Sequence, residues 1–144
     1  MSSAHAGTPT VGVAHQPTDD AEVPSDAGRL RELRDLLQVV ASGNALTATL
    51  ERIALWVERV SPGSLCSVHL LDATGTRVLD GACPSIPMAY RQAIDGVTIG
   101  PGQGSCGTAA YTGKPVIVSD IANDPLWVNF RDLALSFGLR ACWS

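Results

Sequence analysis

The chain is 144 residues long, 45 % hydrophobic, 17 % charged, and carries a formal net charge of −4. That length supports one domain with a real core, and ten scattered Lys and Arg make no basic field for nucleic acid or an anionic membrane. No apolar run approaches the roughly 20 residues of a membrane span, and the N-terminus lacks the basic-then-apolar order of a secretory signal, so a cytoplasmic location is expected.

The four cysteines stand at positions 66, 83, 106 and 142. None forms a Cys-x-x-Cys pair and no histidine lies at ligand spacing beside them, which argues against zinc and for reduced thiols.

Residues 1–28 are rich in Ser, Ala, Thr, Pro and Asp and show no apolar periodicity. Such a segment buries too little surface to offset chain entropy, and a disordered leader is predicted. His5 and His15 lie in it and receive no role.

From Arg29 the pattern changes. Leu30, Leu33, Leu37 and Val40 recur at three- and four-residue steps between charged residues. They predict an amphipathic helix over 29–42 with a heptad-like stripe. That stripe either packs on its own domain or pairs with a second copy.

Ser42-Gly43-Asn44 breaks the pattern, and Asn44 is a candidate helix cap. The main domain is assigned to 43–144. Leu46, Leu50, Ile53, Val57 and Val60 define the apolar face of a second helix, flanked by Trp56. Ser61-Pro62-Gly63 ends it. Cys66 to Leu71 and Arg77 to Cys83 read as a hairpin around Asp72-Ala-Thr-Gly75-Thr76. Alternation puts Cys66, Val68 and Leu70 on one face, with Ser67, His69 and Leu71 on the other. Pro84 and Pro87 close that run. A short helix over 87–94 and a brief strand near 97–99 follow.

The densest signal is Gly100-Pro-Gly-Gln-Gly-Ser-Cys-Gly-Thr-Ala-Ala-Tyr-Thr-Gly-Lys-Pro-Val-Ile-Val-Ser-Asp-Ile121. It reads as a glycine-rich turn, a helix capped by Ser105 and ended by Gly113, and a buried strand over 116–118. Asp124 then caps a helix with Pro125 at its first position. That helix runs to about Phe137. Gly138 ends it, and Leu139 to Trp143 begins a strand.

Cys106 follows the glycine loop at a helix start, where amide dipoles favour a thiolate. It is either reactive or a small residue packed where helix meets sheet. Asp120, Trp127 and Phe130 are further pocket candidates with Ser105, Thr108 and Asp124. Asp124 already has a role as a cap, and Asp120 can brace its own turn.

Gly104-Ser-Cys-Gly-Thr-Ala-Ala110, Pro115-Val-Ile-Val-Ser-Asp-Ile121, Asp124-Pro-Leu-Trp127 and Gly138-Leu-Arg-Ala-Cys-Trp143, in this order, resemble the GAF domain family. The resemblance covers about residues 45–144 and is strongest to bacterial signalling proteins such as sensor kinases and cyclic-di-GMP enzymes.

It implies an α+β fold of the GAF/PAS-like kind, an antiparallel sheet flanked by helices, placed here on one side, with a pocket under the loops of residues 85–130. It also implies a further glycine-bearing strand after Ser144. Without that strand the edge at 139–143 is expected to stand unpaired and prone to self-association, as in a truncated domain.

The implied function is a non-catalytic regulatory sensor. It would bind a small molecule or sense redox state at Ser105, Cys106, Thr108, Asp120, Asp124, Trp127 and Phe130. It would form a homodimer through the N-terminal helix and act on an effector domain in the same chain.

The same motif looks like one in the free methionine-R-sulfoxide reductases, which use a thiol to attack the sulfoxide and another to resolve the intermediate. Gly96 stands where that resemblance expects a cysteine ten residues before Cys106, and the next cysteine after it is Cys142. A ligand-free dimerisation module is the other alternative.

The cofactor is unknown. The cyclic-nucleotide signature fails, because no Lys follows Asn123 and no Asp-Glu pair follows Phe130. Bilin attachment fails because Cys106 precedes Gly107 and Cys142 precedes Trp143, where His is typical. Haem would have only His69 as its axial ligand inside the predicted fold.

Overall fold

A computed structural model describes residues 10–15, 25–41 and 45–144. Three expectations lie wholly or partly outside them: most of the leader, His5, and the break with its Asn44 cap.

The elements in chain order are β1 (Thr10–His15), α1 (Asp26–Ala41), α2 (Leu46–Val60), β2 (Ser64–Leu71), β3 (Val78–Ala82), α3 (Met88–Ile94), α4 (Gly104–Thr112), β4 (Ile117–Val118), a 3-10 turn (Pro125–Trp127), α5 (Arg131–Ser136) and β5 (Ala141–Trp143). The strands form a five-stranded antiparallel sheet in the order β3-β2-β1-β5-β4. Among the described residues no helix is long and apolar enough to cross a membrane.

Two expectations about the sheet are corrected. Thr10–His15 falls within the predicted leader, yet it is the central strand. It runs antiparallel to β2, with Gly12 opposite Ser67, and to β5, with Ala14 opposite Cys142. Six residues are enough once two strand edges wait for them, because both rows of backbone groups are then paired. Consequently β5 is not an open edge. It pairs with β1 on one side and with β4 on the other.

Helices cover both faces of the sheet rather than one. On one face Leu50 of α2 packs against Val68, Ala82 and Leu70. Ser67 and His69 point the opposite way and face α4, because successive strand side chains alternate. The larger core lies on that second face, where Tyr90, Ile121, Trp127, Ala134, Leu139 and Cys142 are buried together. Tyr90 meets Phe137 edge-on at 5.6 Å.

The hairpin between β2 and β3 is tied by Asp72, whose carboxylate accepts from the Thr76 and Arg77 amides at 2.8 and 3.1 Å. Glu58 of α2 anchors the helix to the sheet, accepting from the Cys66 amide at 2.8 Å and the Ser85 hydroxyl at 2.6 Å.

Helix α1 lies along α2, joined by the Arg59–Glu32 ion pair at 3.0 Å. Leu30, Leu33, Leu37 and Val40 do not make that contact; they are 37–67 % exposed.

The predicted helix from Pro125 to Phe137 is broken in two. Asp124 caps the 3-10 turn by accepting from the Leu126 amide at 2.8 Å. Phe130 then leaves helical geometry, which turns its ring inward, before α5 resumes. Gly138 ends α5 with a positive φ, its amide donating to the Leu135 carbonyl at 3.0 Å.

Candidate functional site

The glycine-rich turn sets up the site. Gly104 takes a φ of +64°, which only glycine adopts without strain, and lies flat against the Trp127 ring. This starts α4 one residue before the predicted cap, so Ser105 sits inside the first turn. Its fully buried hydroxyl does not cap the helix but accepts from the Trp127 indole nitrogen at 3.1 Å. Gly113, in the left-handed region, ends the helix as its position in the sequence implies.

Between α4 and the sheet lies a cavity of about 60 Å³, enough for several waters or a small ligand. Its walls are apolar: Ile86, Tyr90, Ile94, Val97, Phe130 and Leu139. Its polar end gathers Ser105, Cys106, Ser67, His69 and Cys142.

Three elements deliver that polar end. Cys106 comes from the first turn of α4, His69 from β2 and Cys142 from β5. The Ser144 hydroxyl lies 3.2 Å from the Cys106 sulfur and 3.7 Å from that of Cys142. β1 supplies the floor: a methyl group on Gly12 would stand 2.7 Å from the Cys106 sulfur. Of the four free cysteines, Cys106 is half-buried as a residue, its sulfur turned in against the sheet, and the other three are buried.

The electrostatics separate these thiols. A hydrogen bond from Cys142 holds the Cys106 pKa well below 9.0, against the opposing effect of burial; His69 and Ser144 also favour the thiolate. The same bond, together with burial, pushes Cys142 well above 9.0. Burial alone would push His69 down, but the hydrogen bond to Cys106 and its negative charge outweigh it and raise the pKa. Cys66 and Cys83 are pushed up to about 12, chiefly by burial, and are inert thiols.

His69 is 4 % exposed, and its Nδ1 has no hydrogen-bond partner of good geometry among the described residues. The Nδ1 nitrogen is therefore a polar group left over for a molecule in the cavity.

Of the seven predicted site residues, the structure gathers Ser105, Cys106, Trp127 and Phe130 at this cavity. Thr108, Asp120 and Asp124 lie outside its lining. The Thr108 hydroxyl donates to the Gly100 carbonyl at 3.3 Å and holds the turn to the helix. Asp120 braces its own loop, accepting from the Ala122 amide at 3.0 Å and the Asn123 side chain at 2.7 Å.

Gly12, Cys142 and the thiol-side role of His69 were not legible as site features. Strand alternation alone places His69 and Ser67 on one face, and that part of the signal was present.

Residues 43–144 match the family model described as "GAF domain", and the chain belongs to that family. Over 109 residues it is 42 % identical to the methyl sulfide methyltransferase-associated sensor of Methanosarcina acetivorans, a stretch that is 76 % of this chain but 11 % of that relative. No solved structure gives a significant match.

Proposed function

We propose that this chain is a regulatory, non-catalytic sensor domain whose input site is the cavity between α4 and the sheet. The signal is a small molecule that enters there and meets the Cys106 thiol. One observation carries the reading: an apolar space whose polar end brings together the Cys106 thiol, the His69 imidazole and the Ser105 hydroxyl. Structural packing alone does not require a depressed thiol in such a place. The name of the archaeal relative supports a sensory role.

Relay to an effector elsewhere in a longer protein runs through the helices on the opposite face. A molecule in the cavity changes how α4 sits on β1 and β5, and the sheet passes that shift to α2 and α1. The exposed Leu30, Leu33, Leu37 and Val40 stripe then pairs with the same stripe of a second copy. A ligand shifts such an arrangement only by its differential affinity for the two states.

Methyl-resolved NMR of Ile86, Ile94, Val97 and Leu139 tests the input site. The probes are dimethyl sulfide, dimethyl sulfoxide and short-chain carboxylic acids, all small enough for the cavity. Shifts confined to these methyls support the reading; their absence across the panel overturns it. A Soret band on haem titration, lost in His69→Ala, would reassign the site to haem.

A further inference from the structure

Cys142 is the second thiol at the polar end. It is buried and faces the same cavity as Cys106, from a different element, with 35 residues of chain between them. The two sulfurs share the Ser144 hydroxyl, at 3.2 and 3.7 Å. A thiol pair placed this way is more than packing needs.

We propose that Cys106 and Cys142 form a reversible disulfide when a small hydroperoxide enters the cavity, with Cys106 as the attacking thiol and Cys142 as the resolving one. This deepens the sensor reading and rests on it, because it names the chemical class of the signal.

The division of labour follows from access and ionisation. Cys106 lines the cavity with its sulfur 3.2 Å from the Ser144 hydroxyl, and Cys142, His69 and Ser144 hold its pKa down. Cys142 is buried and stays protonated. A low thiol pKa with access is what peroxide chemistry selects, and a neighbouring second thiol is what keeps the product reversible.

In the first step the Cys106 thiolate attacks the terminal, hydrogen-bearing oxygen of the hydroperoxide. A sulfur–oxygen bond forms and the oxygen–oxygen bond breaks. The departing alkoxide, or hydroxide in the case of hydrogen peroxide, takes the proton of the His69 imidazolium and leaves as alcohol or water. Cys106 is now a sulfenic acid and His69 is neutral.

In the second step the Cys142 sulfur attacks the Cys106 sulfur. The sulfur–oxygen bond breaks, and the leaving hydroxide takes the Cys142 proton to give water. Two electrons pass from the thiol pair to the peroxide. Exchange with a cellular dithiol reverses the change. The bond would tie the first turn of α4 to β5 across the polar end of the cavity, so oxidation and ligand occupancy act on the same helix.

The test uses the full chain, reduced and freed of metals with a chelator. It is exposed to hydrogen peroxide at neutral pH, blocked with N-ethylmaleimide, and analysed by intact mass and peptide mapping. The expected result is a chain that takes up two fewer N-ethylmaleimide groups than the reduced protein, mapped to a Cys106–Cys142 linkage and reversed by dithiothreitol. Cys142→Ser keeps a hydroxyl donor beside Cys106; it should instead accumulate the sulfenic acid, trapped by dimedone at Cys106.

His69→Ala should slow the reaction about tenfold or more at pH 7 through the loss of thiolate. Retention of all four thiols in excess peroxide overturns the proposal, and so does a linkage through Cys66 or Cys83. If peroxide leaves the thiols intact while the methyl titration shows a bound probe, the disulfide fails and the sensor reading stands. If both are negative, both fail.

Discussion

Gly12 and Cys106 occupy one space between them. A methyl group at Gly12 would lie 2.7 Å from the Cys106 sulfur and 3.1 Å from the Ser67 hydroxyl. The central strand therefore needs a residue without a side chain at the point where the thiol of α4 comes down onto the sheet. Gly12→Ala is expected to destabilise the domain by about 1–3 kcal/mol, the usual cost of overpacking a tight contact. Urea unfolding measures this directly. A neutral result would show that β1 does not sit against Cys106.

The ionisation of Cys106 is open to a rate measurement. Alkylation by iodoacetamide follows the thiolate fraction, so its pH profile should have a midpoint well below 9.0. His69→Ala removes a positive partner that favours the thiolate, so the midpoint should move up and the rate at pH 7 should fall. The stability linkage has a definite sign. A depressed Cys106 contributes stability above its unfolded value near 9.0 and loses it as pH falls through the folded value; a raised His69 contributes below 6.5 and loses it as pH rises through its own. A midpoint near 9 in the unmodified protein would remove the thiolate from the site.

The outer face of α1 makes a prediction about assembly. Leu33 and Leu37 are 37 % and 60 % exposed on a helix with heptad spacing. Sedimentation of the full chain should show a concentration-dependent dimer, and Leu33→Glu with Leu37→Glu should give a monomer with an unchanged circular dichroism spectrum. A monomer at all concentrations in the parent protein would leave the stripe without this role.

Asp80 and Arg91 tie β3 to α3, the guanidinium Nε reaching the carboxylate at 3.0 Å. Burial tends to raise the Asp80 pKa, but the Arg91 hydrogen bonds outweigh it and hold it below 3.8. Its contribution is therefore present at neutral pH and is lost as pH falls through the lowered value. Both side chains remain partly exposed, so Asp80→Asn should cost only about 0.5–1 kcal/mol at pH 7, and less near pH 2. Equal losses at both pH values would contradict the ion pair.

The sequence by itself determined the local elements, because each is coded by contacts a few residues apart. The period of Leu46, Leu50, Ile53 and Val57 marks α2, alternation marks β2, and Gly113, Asp124-Pro125 and Gly138 mark ends and caps where the structure has them. The linked motifs from Gly104 to Trp143 were enough for the family.

Tertiary structure alone decided what meets what. Thr10–His15 carries too little local signal to read as a strand; its stability comes from two long-range partners, β2 and β5. Ser105 looks like a cap, but a buried indole 22 residues away claims its hydroxyl. Cys106, Cys142 and His69 stand on three elements far apart in the chain, and no spacing rule links them. Only the sheet order brings them to one end of one cavity, where polar neighbours lower the pKa of Cys106 against the effect of burial while the pKa of Cys142 is raised.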